Sequence, residues 1–179
     1  MFGVFRRRAQ SRQSLAALYA ALATQARSPA FYAELGVPDT VDGRFDLLVL
    51  HAWLVMQRLD EEPESGPLKQ DLFDTMFDHL DLTVREMGAQ DLGVGRRIKR
   101  MAEGFQGRAS AFREAWLAGN EAALREALRR NVFGKASAAD DSVANLSHYI
   151  GATMACLKKA DLTALLAGRI AWPTPGSSA

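Results

Sequence analysis

Four sets of residues in this chain have types and spacings that could do chemistry. The first is the histidines, His51, His79 and His148. A neutral imidazole can act as a base or a metal ligand. A di-iron helical bundle, however, needs a Glu three residues before its His, and Leu48, Met76 and Asn145 stand in those places. His51 lies in an apolar run and reads as a buried, hydrogen-bonded neutral ring; His79 reads as a boundary residue beside Thr83. The second set is Asp71, Asp74, Asp78 and Asp81, which share one helix face at intervals of three and four. Carboxylates suit a hard cation, but one helix face cannot wrap it and no calcium-loop spacing is present, so a solvated or partner-facing stripe is expected. The third set is Gly93 and Gly95 in DLGVGRR, which lack both the G-x-G-x-x-G spacing and the preceding strand of a phosphate loop. The fourth is Arg96, Arg97, Lys99 and Arg100, answered nearby only by Glu103. Such a cluster fits phosphates, an anionic lipid surface or an acidic partner, and it could also pair with the aspartate row if the two helices are antiparallel neighbours. No aromatics interleave with these charges, so stacking on bases is not indicated. No serine sits in a nucleophile elbow. The expectation is no catalytic residue, no cofactor and no metal.

Composition sets the frame around these residues. The chain has 179 residues, 48% of them hydrophobic and 24% charged. A domain of this size buries roughly 70% of its unfolded surface. With 22 basic and 21 acidic residues the formal net charge is +1, and no global excess argues for DNA. Cys156 is the single cysteine, which excludes an internal disulfide framework and a cysteine zinc ribbon.

The elements that must position these residues read as helices nearly throughout. Residues 1–33 contain no acid and carry Arg6, Arg7, Arg8, Arg12 and Arg27. A secretory signal and a transit peptide are the alternatives there; helical spacing of Leu15, Leu18, Leu22 and Ala26 favours a retained first helix. Residues 1–12 are expected to form a basic N-terminal arm. Its Phe2, Val4 and Phe5 next to Arg6–Arg8 would suit weak peripheral membrane contact, with a solvated terminus as the alternative. After a break at Gly36, Pro38 and Asp39, residues 44–59 are apolar on nearly every side, as in a core helix. They are too short and too often interrupted by polar residues to span a bilayer.

Four further helices are expected. One at 68–87 places Leu68, Leu72, Met76, Leu80, Val84 and Met87 on one face, and Gly88 suits its C-cap. The next follows an N-cap at Asp91 and carries the stripe Val94, Ile98, Met101, Phe105, Phe112 and Trp116. Its glycines 93, 95, 104 and 107 suggest close helix approach or a bend. Helices at 120–131 and 142–159 and a short turn DLTALLAG complete the set, followed by a loose tail at 171–179. The fold class is all-α: a single domain at 13–170, an irregular bundle of six or seven helices.

The segments FYAELGVPDTVDGRFDLLVLHAWLVMQRL at 31–59 and LFDTMFDHLDLTVREMGAQDLGVGRRIKRMAEGFQGR at 72–108 resemble the ubiquinol–cytochrome c chaperone family. The similarity runs more loosely over about 13–160, through RNVF at 130–133. The ordered combination GVPDT, GRFDLLVLH, LFD-x-MF, REMG and D-x-x-VG-x-R-I-K carries it. The resemblance implies a non-enzymatic assembly factor for newly made cytochrome b, with relatives that associate with the ribosome and a small partner protein. The chain is most similar to the bacterial form, which would place it in the cytoplasm, peripheral at the inner face of the inner membrane. Arg85, Glu86, Asp91, Arg96, Arg97, Lys99 and Arg100 would form the partner-binding segment. Met76, Phe77, Met87, Met101 and Phe105 are candidates for an apolar client groove, with core packing as the competing reading of each. The alternatives are an RNA- or ribosome-binding helical module without a client, and a haem or quinone carrier with an apolar pocket beside His51 or His79.

Overall fold

The computed structural model describes residues 2–63, 65–86, 91–134 and 138–176, with side chains from Ser14 onward except at 91 and 92. The chain is all-α. The helices are α1 (Phe2–Ala26), α2 (Pro29–Ala33), α3 (Val41–Leu59), α4 (Ser65–Glu86), α5 (Asp91–Leu117), α6 (Glu121–Leu128), α7 (Asp140–Lys159) and α8 (Leu162–Leu166), with a π-helical turn at Arg129–Phe133 after α6. Packing is organised around α3, which touches α1, α4, α5, α7 and the π turn. That is why its apolar residues run all round: Phe45 through Val55 are buried without a break. The stripe expected on α1 is buried at Leu15, Leu18, Leu22 and Ala26. No helix among the described residues is long and apolar enough to cross a membrane.

The start of α3 explains the loop motif GVPDT…GRFD. Gly36 takes the left-handed conformation, φ +68°, which glycine adopts without steric cost. The Thr40 hydroxyl then accepts the Gly43 N–H at 3.1 Å, satisfying one of the orphan donors of the first turn. Gly43 is required because a Cβ there would fall onto the Pro38 carbonyl oxygen. Arg44 Nε donates to Asp39 Oδ1 at 2.6 Å across the same turn.

Several expectations change in three dimensions. The glycines of α5 do not mark a close helix approach: Cβ atoms at Gly93, Gly95 and Gly107 would meet nothing, and one at Gly104 would meet only Arg108 of the same helix. These positions line the open side of α5, where no neighbour demands a small residue. The segment after α8 is not loose as far as Gly176. Gly168 (φ +71°) packs against the Ala17 carbonyl of α1, Trp172 meets the His51 ring edge-on at 5.5 Å, and Pro175 is buried. Residues 177–179 lie outside the described residues, as do Gly88, Met87 and the side chains of the 1–12 arm and of Asp91. The α2 turn was too short, at five residues, to show a periodicity.

Candidate functional site: the charged face of α4 and α5, and the buried histidine

Arg85 and Glu86 end α4, Asp91 begins α5, and the cationic cluster fills the next two turns of α5. Arg96, Lys99 and Arg100 are exposed and Arg97 is half-buried. Their hydrophobic neighbours Val94, Ile98 and Met101 turn inward, because residues at intervals of three and four share a face. Lys99 approaches Glu103 at 3.9 Å along its own helix. Among the described residues, Arg96, Arg97 and Arg100 form no ion pair, and no pair links this cluster to the aspartate row of α4. Asp74 accepts from Gln70 at 2.8 Å, Arg85 Nε donates to Asp81 Oδ2 at 2.6 Å, and Asp71 and Asp78 are exposed. The ties between α5 and its neighbours run through other groups. Arg108 Nε lies 2.7 Å from Asp46 Oδ1, and Asp60, at the C-cap of α3, pairs with Lys69 of α4. Arg96, Arg97 and Arg100 thus leave a cationic face on α5 that, among the described residues, only Glu103 answers, through Lys99.

The apolar candidates separate differently. Met76, Phe77 and Phe105 are buried, and Phe73, Phe77 and Phe105 form one aromatic cluster with centroids 4.5 to 6.2 Å apart. They are core, not groove: α4 and α5 pack on these faces. Met101 is half-buried against the core.

Two of the histidines take structural roles, and His148 is exposed on α7. His79 stacks on Tyr19 of α1 at 4.7 Å. His51 is fully buried; its Nδ1–H donates to the Leu47 carbonyl at 2.7 Å and its Nε2 accepts the Tyr149 hydroxyl at 2.9 Å, a tautomer assigned from the partners. The Tyr149 oxygen in turn accepts Gln25 Nε2–H at 3.0 Å. Burial pushes the His51 pKa down to about 4, against the raising effect of the Leu47 carbonyl, and it pushes the Tyr149 phenol up to about 12, against the lowering effect of the Gln25 hydrogen bond. Gln25, His51 and Tyr149 come from α1, α3 and α7, so this chain of hydrogen bonds ties three helices together. Sequence reading found His51 but not Tyr149 or Gln25, because nothing in the periodicity of α1 or α7 says that a polar residue faces a histidine. Tyr149→Phe leaves the His51 lone pair buried without a donor, which costs about 1–3 kcal/mol. Thermal unfolding of the variant should fall by about 5 °C; an unchanged melting temperature would show that the pair carries no net stability.

Among the described residues no three His, Cys, Asp or Glu side chains gather as a metal site. The fold and its surface define a helical protein with a packed core and a cationic face on α5 of which three arginines have no ion-pair partner among the described residues. Residues 33–172 match the family model described as ubiquinol–cytochrome c chaperone, and the chain belongs to that family. Its role is that of a chaperone or assembly factor. Among solved structures, the chain is similar to the crystal structure of the Cbp3 homolog from Brucella abortus, with 32% identity and a TM-score of 0.80 over 97% of this chain and 96% of that one. Comparison with curated proteins returns no match.

Proposed function

We propose that this chain is a non-enzymatic chaperone that holds newly made cytochrome b during biogenesis of ubiquinol–cytochrome c reductase. It would work in the cytoplasm at the inner face of the membrane. Family membership supports the assembly role. The observation that carries the contact surface is the α5 cluster, in which Arg96, Arg97 and Arg100 have no ion-pair partner among the described residues. A fixed array of desolvatable cations steers and orients an anionic partner. In this reading Arg85, Glu86, Asp91, Arg96, Arg97, Lys99 and Arg100 make the partner-binding segment. The ribosome and a small partner protein are further partners of the same reading, and the arm at 1–12 makes peripheral membrane contact.

The test is affinity capture from detergent-solubilised native cells with the bound proteins identified by mass spectrometry. The native chain should recover cytochrome b. Combined Arg96→Glu, Arg97→Glu and Arg100→Glu should reduce that recovery about tenfold or more, while the helical circular dichroism signal stays unchanged because all three side chains lie outside the core. Undiminished recovery by the triple variant would remove the α5 face from the client contact. Ribosomes without cytochrome b, released steeply by salt, would favour an RNA-binding module instead.

A further inference from the structure

The end of α3, the first half of α4 and the second half of α5 leave a cleft of about 400 Å³ between them. Its inner wall is apolar, made by Met56, Phe73 and Phe105, with the two rings edge to face at 5.2 Å. Trp53 and Gln57 of α3 line the same cleft. Trp53 is only 3% exposed, yet its indole N–H has no hydrogen-bond partner among the described residues. Neither has the buried side-chain oxygen of Gln57, one turn further on. Native folds rarely bury a donor or acceptor without a bond, so each such group asks for a reason. At the mouth Asp60 pairs with Lys69 and lies 3.9 Å from Arg113, and two cations against one carboxylate leave it net positive. Gln70, Gln106 and Ser110 complete the polar rim. Two of these are already engaged along their own helices, Gln70 with Asp74 and Ser110 with Glu114.

We propose that this cleft is a small-ligand site. Its ligand is a flat heteroaromatic ring with a hydrogen-bond acceptor beside a donor and an anionic substituent, a class to which mononucleotides belong. Each feature of the ligand answers a different part of the site. The unpaired Trp53 N–H calls for an acceptor, and the Gln57 carbonyl, four residues on along the same helix face, calls for a donor next to it. The aromatic wall favours a ring, stacked or edge-on. The positive mouth favours an anion. There the Arg113 guanidinium is more than half exposed and only loosely held by Asp60, which leaves it donors for an anionic oxygen. The volume lies within the range of about 300–1,000 Å³ usual for small-molecule sites, in which a few placed polar groups fix the orientation of a ligand against apolar walls. Both unpaired atoms are closed to solvent, and the half-buried Gln57 side chain swings towards the cleft to admit the ring. A ring bound there touches α3, α4 and α5 together, and so stabilises the packing of the helix that bears the cationic face.

The probes are uridine and guanosine monophosphate, each titrated into the isotope-labelled full chain while the indole N–H resonances of Trp53, Trp116 and Trp172 are followed by NMR. The Trp53 resonance, assigned by its loss in Trp53→Phe, should shift saturably, with the other two unmoved. Ribose phosphate lacks the ring and phenyl phosphate lacks the donor and acceptor, so each should bind about tenfold more weakly or less. Gln57→Leu should weaken nucleotide binding about tenfold. Arg113→Gln should weaken it about threefold, an effect that fades at high salt. Because the Gln57 oxygen has no partner within the fold, leucine there should leave the melting temperature unchanged or raised, which separates a lost ligand contact from a damaged core. No saturable shift of the Trp53 resonance with either nucleotide overturns the proposal. So does equal binding of phenyl phosphate, or a Gln57→Leu variant that binds like the native chain. A marked fall in the melting temperature of Gln57→Leu overturns it as well, since that oxygen would then be bonded to Trp53 in solution and not open to a ligand. Cytochrome b capture bears on none of these outcomes, so the cleft and the assembly reading stand or fall separately.

Discussion

Replacing Gly43 with alanine is expected to destabilise the chain by about 3 kcal/mol, lowering the melting temperature by roughly 6–12 °C. The cause is geometric. The new methyl would lie 2.0 Å from the Pro38 carbonyl oxygen, a backbone atom that no rotamer change can move aside. Either the GVPDT loop shifts and the Thr40 cap on Gly43 N–H is lost, or the first turn of α3 unwinds. Both injure the helix that every large element packs against. The same substitution at Gly107 has the opposite sign, because nothing lies near its missing Cβ; Gly107→Ala should stabilise by about 0.5–1 kcal/mol through helix propensity. Paired thermal melts of the two variants decide the matter. If Gly43→Ala melts with the native chain, the crowding at Pro38 does not constrain the fold.

Acid should weaken the fold through His51. Its pKa is lowered from 6.5 to about 4, so the folded state holds the ring neutral where the unfolded chain would protonate it. The stability this contributes is fully present above pH 6.5 and is lost as pH falls towards 4. The loss is about 3 kcal/mol across that window. Asp46 acts in the opposite sense over the same span. Burial raises its carboxyl to about 6, and the Arg108 guanidinium, close but not aligned as a hydrogen-bond donor, only partly offsets this. Its contribution is present below pH 3.8 and is lost as pH rises through 6, so it masks part of the histidine effect. Urea unfolding between pH 4 and 7 on an Asp46→Asn background should therefore show a steeper acid loss than the native chain. Adding His51→Gln to that background should flatten it. Parallel pH profiles with and without His51 would mean that the buried imidazole does not govern acid stability.

Much of this protein is written in one-dimensional pattern. The apolar spacing of Leu15, Leu18 and Leu22, the all-round apolarity of 44–59 and the stripes of α4, α5 and α7 are local signals of period 3.6, and they determine helix existence and which face turns inward. The order of loop residues GVPDT and GRFD is equally local, because a cap, a left-handed glycine and a Cβ-free turn are decided within eight residues. The cationic cluster was also legible, since charges within one turn are near one another in any helical chain. What only the tertiary structure decided depends on pairs far apart in sequence. His51 meets Tyr149 98 residues away, and Gln25 meets Tyr149 across 124. Trp172 closes over His51 although its proline-rich surroundings signal a free tail. The glycines of α5 look like contact points but face open space. Whether the α5 arginines find the α4 aspartates is likewise a matter of how each helix is rotated about its own axis, a degree of freedom that no spacing along a single helix records.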